Sequence, residues 1–394
     1  MLLLGIFIVL VFAYGLVSRR LQGTLLTGPM LFTLAGMLVA LVLTPGLAME
    51  SGGEWFLKVS ELTLVLLLFT DACHTSLREL RRDGALSARL LTVGMLLTIL
   101  LGAVIAWLLF PSLGLWYAAI VATILAPTDA GLGQVIVNSD KVPEKIRETL
   151  NVEAGLNDGL SVPLLLFFIV LTGVEAFHEA QGMLLQYLVE QLGYGALIGM
   201  LVGGVGGLLL AMSRERGWLA EDGEQMAILS LPILALLLSE AVEASMFIAA
   251  FVAGLALQWR YQPRSREDRF YGLLGEWLSH SVFFLFGLMA ISALENMQWQ
   301  YLLYGLLSLT LVRIVPVMLA LVGTGLSQRQ RLFMGWFGPR GLASIVLGMV
   351  FLEQHGSGEG VEMIHQLVVA TVLLSVFLHG MTASPGIRWL GRRP

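Results

Sequence analysis

Charge is scarce in this chain of 394 residues: Asp, Glu, Lys and Arg together make up 13% of it, about half the share typical of a soluble domain. That excludes an ordinary soluble enzyme. Cysteine is scarcer still, with Cys73 alone, so neither an intrachain disulfide nor a thiolate metal cage can form. A formal charge of −5 supplies no basic footprint for nucleic acid. What is abundant is apolar: 57% hydrophobic residues besides 44 glycines, in runs near the ~20 residues that cross a hydrocarbon core. The chain reads as an all-α polytopic membrane protein, in contact with lipid, with no soluble domain and no enzymatic or cofactor chemistry.

Apolar runs bounded by charged or turn-forming residues predict thirteen spans, at 2–17, 25–44, 55–72, 88–110, 114–137, 148–172, 183–212, 225–242, 245–258, 270–291, 298–323, 330–352 and 361–381. The first has no basic n-region and ends at Arg19-Arg20 without a small-residue cleavage site, so it reads as a retained helix. Of the 23 basic residues, 20 fall in connections after odd-numbered spans, among them Arg78, Arg81, Arg82, Arg264, Arg266, Arg392 and Arg393. Connections after even-numbered spans hold only Lys58, while Arg313 and Arg340 lie within spans. By the positive-inside rule the N-terminus is outside and the C-terminus cytoplasmic; twenty Arg against three Lys point to a GC-rich bacterial genome, and the membrane expected is then a bacterial inner membrane.

Thirteen is six plus one plus six, the arithmetic of two inverted repeats (1–182 and 213–394) joined by a linking helix (183–212). Spans 5 and 12 then correspond, and both are interrupted, by Ala126-Pro127-Thr128-Asp129-Ala130-Gly131 and by Gly338-Pro339-Arg340-Gly341. Matched breaks in two halves point to a transport site near the midplane, because backbone groups freed by a break must face a polar cavity or protein rather than lipid. The linking helix carries Gly195, Gly199, Gly203 and Gly207 at four-residue spacing, a face suited to close helix contact.

A charge inside a span is expensive and marks a cavity or a partner. Asp129, at the break of span 5 beside Thr128, reads as a pathway carboxylate or as a helix cap. Asp158 lies mid-span after Asn157. Burial favours the protonated carboxyl and a bound cation favours the ionised one, so one aspartate that holds either a proton or a cation is sufficient chemistry for antiport. Glu153, five residues earlier, sits some 140° around the helix and reads as a structural partner of Arg313 or Arg340. Asp71 and Glu240 fall near span ends, where a side chain can snorkel to water. Among the histidines His280 alone is placed mid-membrane; His74, His178, His355 and His365 fall in or beside loops and His379 near the end of the last span.

Ala126-Pro127-Thr128-Asp129, followed by Asn151-Val152-Glu153-Ala154-Gly155-Leu156-Asn157-Asp158-Gly159, resembles the monovalent cation/proton antiporter superfamily, specifically its NhaP-type electroneutral sodium/proton exchanger branch. Ser239-Glu240, Ser245 to Gly254, Phe283 to Gly287, Arg313 and Gly338-Pro339-Arg340-Gly341 extend the likeness over nearly the whole chain. The resemblance implies that Asp158 binds proton and cation in turn, and that Thr128 and Asp129 line the same site. Asn157, where electrogenic relatives carry a second Asp, implies one proton per cation. It further implies a core ion pair of Glu153 with Arg313, and Arg340 offsetting the negative ends of the unwound helices. The implied fold is an inverted-repeat bundle whose core moves against a dimerisation domain, hence a homodimer. Three departures stand out. Ala130 replaces a frequent Pro, Ala154 replaces a Ser that ligates the ion in some relatives, and no long regulatory tail follows Arg393.

The function expected is exchange of a monovalent cation, Na⁺ first with Li⁺ and K⁺ as alternatives, for H⁺, in the service of pH homeostasis. A passive cation channel would call for repeated filter loops or charge rings. An intramembrane aspartyl protease using Asp129 and Asp158 would call for Tyr-Asp and Gly-x-Gly-Asp settings, which neither residue has.

Overall fold

A computed structural model of the protein describes residues 2–21, 24–42, 53–74, 85–176, 181–261, 268–356 and 358–391. The connection arginines Arg78, Arg81, Arg82, Arg264, Arg266, Arg392 and Arg393, together with His178 and the chain end, lie outside them.

Among the described residues the chain is helical throughout, without strands. The helices are α1 (Leu2–Leu21), α2 (Gly28–Val42), α3 (Gly53–His74), α4 (Ala85–Leu109), α5 (Leu115–Ile124), α6 (Ala130–Val137), α7 (Glu144–Ala176) and α8 (Gln181–Glu215). They continue as α9 (Glu221–Ala241), α10 (Met246–Leu257), α11 (Asp268–Glu295), α12 (Trp299–Leu309), α13 (Leu311–Ala320), α14 (Gln328–Trp336), α15 (Leu342–His355) and α16 (Glu359–Gly391). Among the described residues eight segments are long and apolar enough to cross a bilayer alone, and four further apolar helices are shorter. With Phe12, Leu16 and Met226 about 70% exposed on apolar helices, this is an integral membrane protein. Length and hydropathy alone establish fewer crossings than the thirteen expected.

Several expectations need correction. The stretch 298–323 is one apolar span, Trp299–Ala320, interrupted where Thr310 (φ −107°, ψ −88°) leaves the helical region between α12 and α13. The last helix runs on through Pro385 to Gly391, which puts His379 inside it, 2% exposed. His365 also lies within α16, and His355 is the last residue of α15. Glu240 is exposed and Asp71 partly buried.

The chain divides into two compact units. One comprises Met1–Ser60, Gly84–Ala154 and Glu276–Pro394; the other comprises Glu61–Asp83 and Gly155–Gly275. Within the first unit α16 is the central post, packed against α5, α6, α12 and α15. An apolar cluster of Leu90, Ile136, Ile146, Val317, Phe333 and Ile387 holds α4, α6, α7, α13, α14 and α16 together. Helix α14 opens with a capping box, Ser327 Oγ accepting from Gln330 N and the Gln330 side chain accepting from Ser327 N.

Within the second unit α8 and α10 run side by side in the same direction. Gly195, Gly199, Gly203 and Gly207 face the carbonyls of Ser245, Ala249, Ala253 and Leu257 in turn. A Cβ at Gly199 would stand 2.5 Å from Ala249 O and one at Gly207 2.9 Å from Leu257 O, so the glycine face expected of the linking helix is what admits the partner backbone.

Candidate functional site

Both helix breaks begin with proline chemistry. Pro127 and Pro339 have no N–H to continue a helical ladder, and each disfavours helical geometry in the residue before it. Helix α5 accordingly ends at Ile124 and α6 begins at Ala130; α14 ends at Trp336 and α15 begins at Leu342. The two gaps meet each other. Asp129 N donates to Pro339 O at 2.8 Å, a backbone bond between the breaks of the two halves.

Each gap leaves one N-terminus with free N–H groups and one C-terminus with free carbonyls, two of each in all. Asp129 serves both N-termini: its Oδ1 accepts from Leu132 N at 2.8 Å in α6, and its Oδ2 accepts from Leu342 N at 2.6 Å in α15. Arg340, fully buried, serves the C-terminal end of α5, its Nη1 donating to Ala126 O and, at 3.0 Å, to Pro127 O. Ser344 Oγ donates to Ile124 O at 2.7 Å. The negative carboxylate thus lies at positive helix ends and the cation at a negative one, as the helix dipoles favour.

Two glycines make this approach possible. A Cβ on Gly341 would sit 2.6 Å from Asp129 Cγ, and one on Gly338 would sit 2.8 Å from Arg313 Cζ. Arg313 forms a two-pronged ion pair with Glu153, Nη1 to Oε1 at 2.6 Å and Nη2 to Oε2 at 2.8 Å. Both residues are 2% exposed. Of the two cations open to Glu153 from the sequence, Arg313 is the one that pairs with it.

A small recess lies at the break of α5 and α6, with Thr128, Asp129 and Asn151 as its polar lining and Ile136, Leu150 and Phe337 among its apolar walls. Ala154 also lines it, presenting a methyl where a hydroxyl would offer an oxygen. Asn157, buried, and Asp158, half buried, lie farther along α7 in the segment that belongs to the second unit. Hard oxygen donors of this kind suit an alkali cation or a proton; no group of three or more His, Cys, Asp or Glu able to hold a resident metal exists among the described residues.

Sequence reasoning missed Asn151 as a lining residue, and it missed Ser375 and His379. A signal for the latter was present: Thr371, Ser375 and His379 recur at four-residue spacing, a single polar face in an apolar helix. All three are buried, at 0%, 0% and 2% exposure.

Residues 6–389 match the family described as "Sodium/hydrogen exchanger, transmembrane". A K(+)/H(+) antiporter NhaP of Alkalimonas amylolytica is 27% identical over 99% of this chain and 66% of its own length. A K(+)/H(+) antiporter NhaP2 of a Shewanella strain is also 27% identical, over 84% of this chain and 57% of its own. The chain therefore spans somewhat under two thirds of these relatives. The solved structure of the sodium proton antiporter MjNhaP1 of Methanocaldococcus jannaschii superposes with a TM-score of 0.76 at 21% identity, covering 100% of this chain and 99% of that one. That likeness gives the fold.

Proposed function

Because the chain belongs to the sodium/hydrogen exchanger family, we propose that it is a secondary antiporter, exchanging a monovalent cation for H⁺ across a bacterial inner membrane with its C-terminus in the cytoplasm. Na⁺ is the first candidate. Asp158 carries the exchangeable charge, protonated in one half-cycle and cation-bound in the other. Thr128, Asp129 and the neutral Asn157 serve the cation, Glu153 and Arg313 brace the bundle as an ion pair, and Arg340 compensates the unwound ends. The observation that carries this reading is the crossing of two broken helices beside a polar recess, for such breaks are stable in a membrane only where protein or a cavity receives their backbone groups.

The repeats 1–182 and 213–394 about the linking helix 183–212 belong to the same proposal. Their support is the matched position of the two breaks and the backbone bond from Asp129 to Pro339. Assembly as a homodimer follows from the family resemblance. K⁺/H⁺ exchange is the second reading. It is favoured by the names of the Alkalimonas and Shewanella relatives and by Ala154, which withholds one oxygen from the recess and so suits a larger, less demanding cation.

The test is dequenching of a pH-sensitive dye in inverted vesicles on addition of Na⁺, Li⁺, K⁺ or choline. Dequenching by one or more alkali cations and not by choline is the expected result; equal responses to all four, or none, would refute antiport.

A further inference from the structure

In an unbroken helix the N–H of Arg340 would donate to the carbonyl of Trp336, four residues before it. Here that bond is absent and its two ends are joined through α16. Arg340 N donates to Ser375 Oγ at 2.6 Å, Ser375 Oγ lies 3.2 Å from His379 Nδ1, and His379 Nε2 lies 2.8 Å from Trp336 O. One end fixes the tautomer of a neutral ring. Trp336 O can only accept, so Nε2 carries the proton. Nδ1 of a neutral ring then accepts from the Ser375 hydroxyl, whose oxygen accepts from Arg340 N. The imidazole is held in place by stacking on the Trp336 indole at 5.1 Å, and the indole Nε1 in turn donates to Thr382 Oγ1 at 3.0 Å.

We propose that Ser375 and His379 form a two-residue relay that replaces the missing helical hydrogen bond across the break between α14 and α15, making neutral His379 a positioning residue for the cation recess. The relay sets the width of the gap, and so the place of Pro339, which lines the recess, and of Leu342, to which the Asp129 carboxylate is bonded. It needs groups that accept on one side and donate on the other. Imidazolium cannot, because both its nitrogens donate; its Nδ1 would donate to Ser375 O, which already lies 3.0 Å away, and no longer accept from the hydroxyl. His379 on this account is a fixed link and not a proton sensor.

The inference rests on the antiport reading for its functional arm and on backbone protection for its structural arm, which keeps the two separable. His379→Gln keeps one donor and one acceptor at nearly the imidazole spacing, whereas His379→Ala keeps neither. In purified protein, hydrogen exchange at residues 338–342 should quicken in His379→Ala and stay at the wild-type rate in His379→Gln. In proteoliposomes the apparent KM for the transported cation should rise about two- to tenfold in His379→Ala, the range that loss of one hydrogen bond implies. His379→Gln should remain near wild type with an unmoved pH profile. Ser375→Ala is the second variant, expected to behave as His379→Ala does and to add little to it, while Ser375→Thr restores the relay. Wild-type protection in both His379→Ala and Ser375→Ala would overturn the proposal, as would a displaced pH profile in His379→Gln. Failure of the wild type to couple cation and proton movement would instead overturn antiport, and the exchange measurement would still decide the relay.

Discussion

Asp129 accepts the backbone N–H of Leu342 at 2.6 Å while capping its own helix through Leu132. One carboxylate therefore holds the N-termini of two half-helices from opposite halves of the chain. Both oxygens are needed, since an amide could accept at one end only and would turn its NH2 against the other N–H. Asp129→Asn is expected to lower thermal stability by about 1–2 kcal/mol, the scale of a lost cap, and to impair transport. A melting temperature and cation affinity both equal to wild type would show that neither oxygen matters.

Asp158→Asn should abolish exchange and leave the protein folded, because an amide cannot alternate between proton and cation. Dye dequenching in vesicles, together with the elution profile of the purified variant, reads both quantities. Exchange persisting above a tenth of the wild-type rate would remove Asp158 as the carrier.

The pair Glu153 and Arg313 should show strong coupling. Removing one partner of a buried ion pair leaves the other charge stranded, at about 3–5 kcal/mol, so Glu153→Ala and Arg313→Ala should each lower stability markedly and the double variant by much less than their sum. Strict additivity in thermal unfolding would mean that the pair is not the brace it looks to be.

On the glycine face of α8 neighbouring positions should answer oppositely. Gly203 abuts the backbone of Ala253, whereas Gly204 has nothing within 4 Å of where a Cβ would stand. Gly203→Ala should destabilise by forcing α8 from α10. Gly204→Ala should be neutral or stabilising by up to ~1 kcal/mol through helix propensity. Equal melting temperatures for the two variants would contradict the packing.

Exchange should also ignore membrane voltage. With Asn157 neutral, the carrier bears the same charge whether it holds H⁺ or one monovalent cation, and its return moves no net charge. Na⁺/H⁺ exchange in proteoliposomes should run equally fast with the potential clamped at zero and with a diffusion potential imposed by an ion that is not transported. A voltage-dependent rate would demand a second proton-carrying group, with Asp129 the first to examine.

What could be read from the chain before folding was whatever local chemistry decides. Pro127 and Pro339 marked breaks because each stands among Gly, Thr or ionisable neighbours that do not favour a continuous apolar helix, whereas Pro163, Pro232, Pro316 and Pro385 lie inside helices; Glu153 announced a cationic partner because a lone buried charge is too costly. Thr310 carried no such mark, being neither Gly nor Pro, and its departure from helical geometry between α12 and α13 could not be foreseen. Ser375 and His379 showed as a polar face of α16, but their role was hidden for a different reason. Their importance lies in a gap made by residues 35 or more positions away, and no spacing within α16 discloses what stands opposite. Asp129 fell between these cases: the sequence marked it as either cap or pathway group, and only the fold brought a second helix end to its other oxygen.

The broken helix of the second half also bears on how the protein is made. Its pieces, Gln328–Trp336 and Leu342–His355, are 9 and 14 residues long, short of the ~20 that an insertion apparatus recognises on hydropathy, and Arg340 between them costs a further ~2.5–3.5 kcal/mol at mid-membrane on insertion scales. When this stretch leaves the ribosome, the carbonyls of Ala126 and Pro127 that receive Arg340 have already been synthesised, but Ser375 has not. The bonds from Arg340 N to Ser375 Oγ and between His379 Nε2 and Trp336 O can form only once α16 has been made, so a chain ending short of Ser375 would hold the crossing through Asp129 and Arg340 alone.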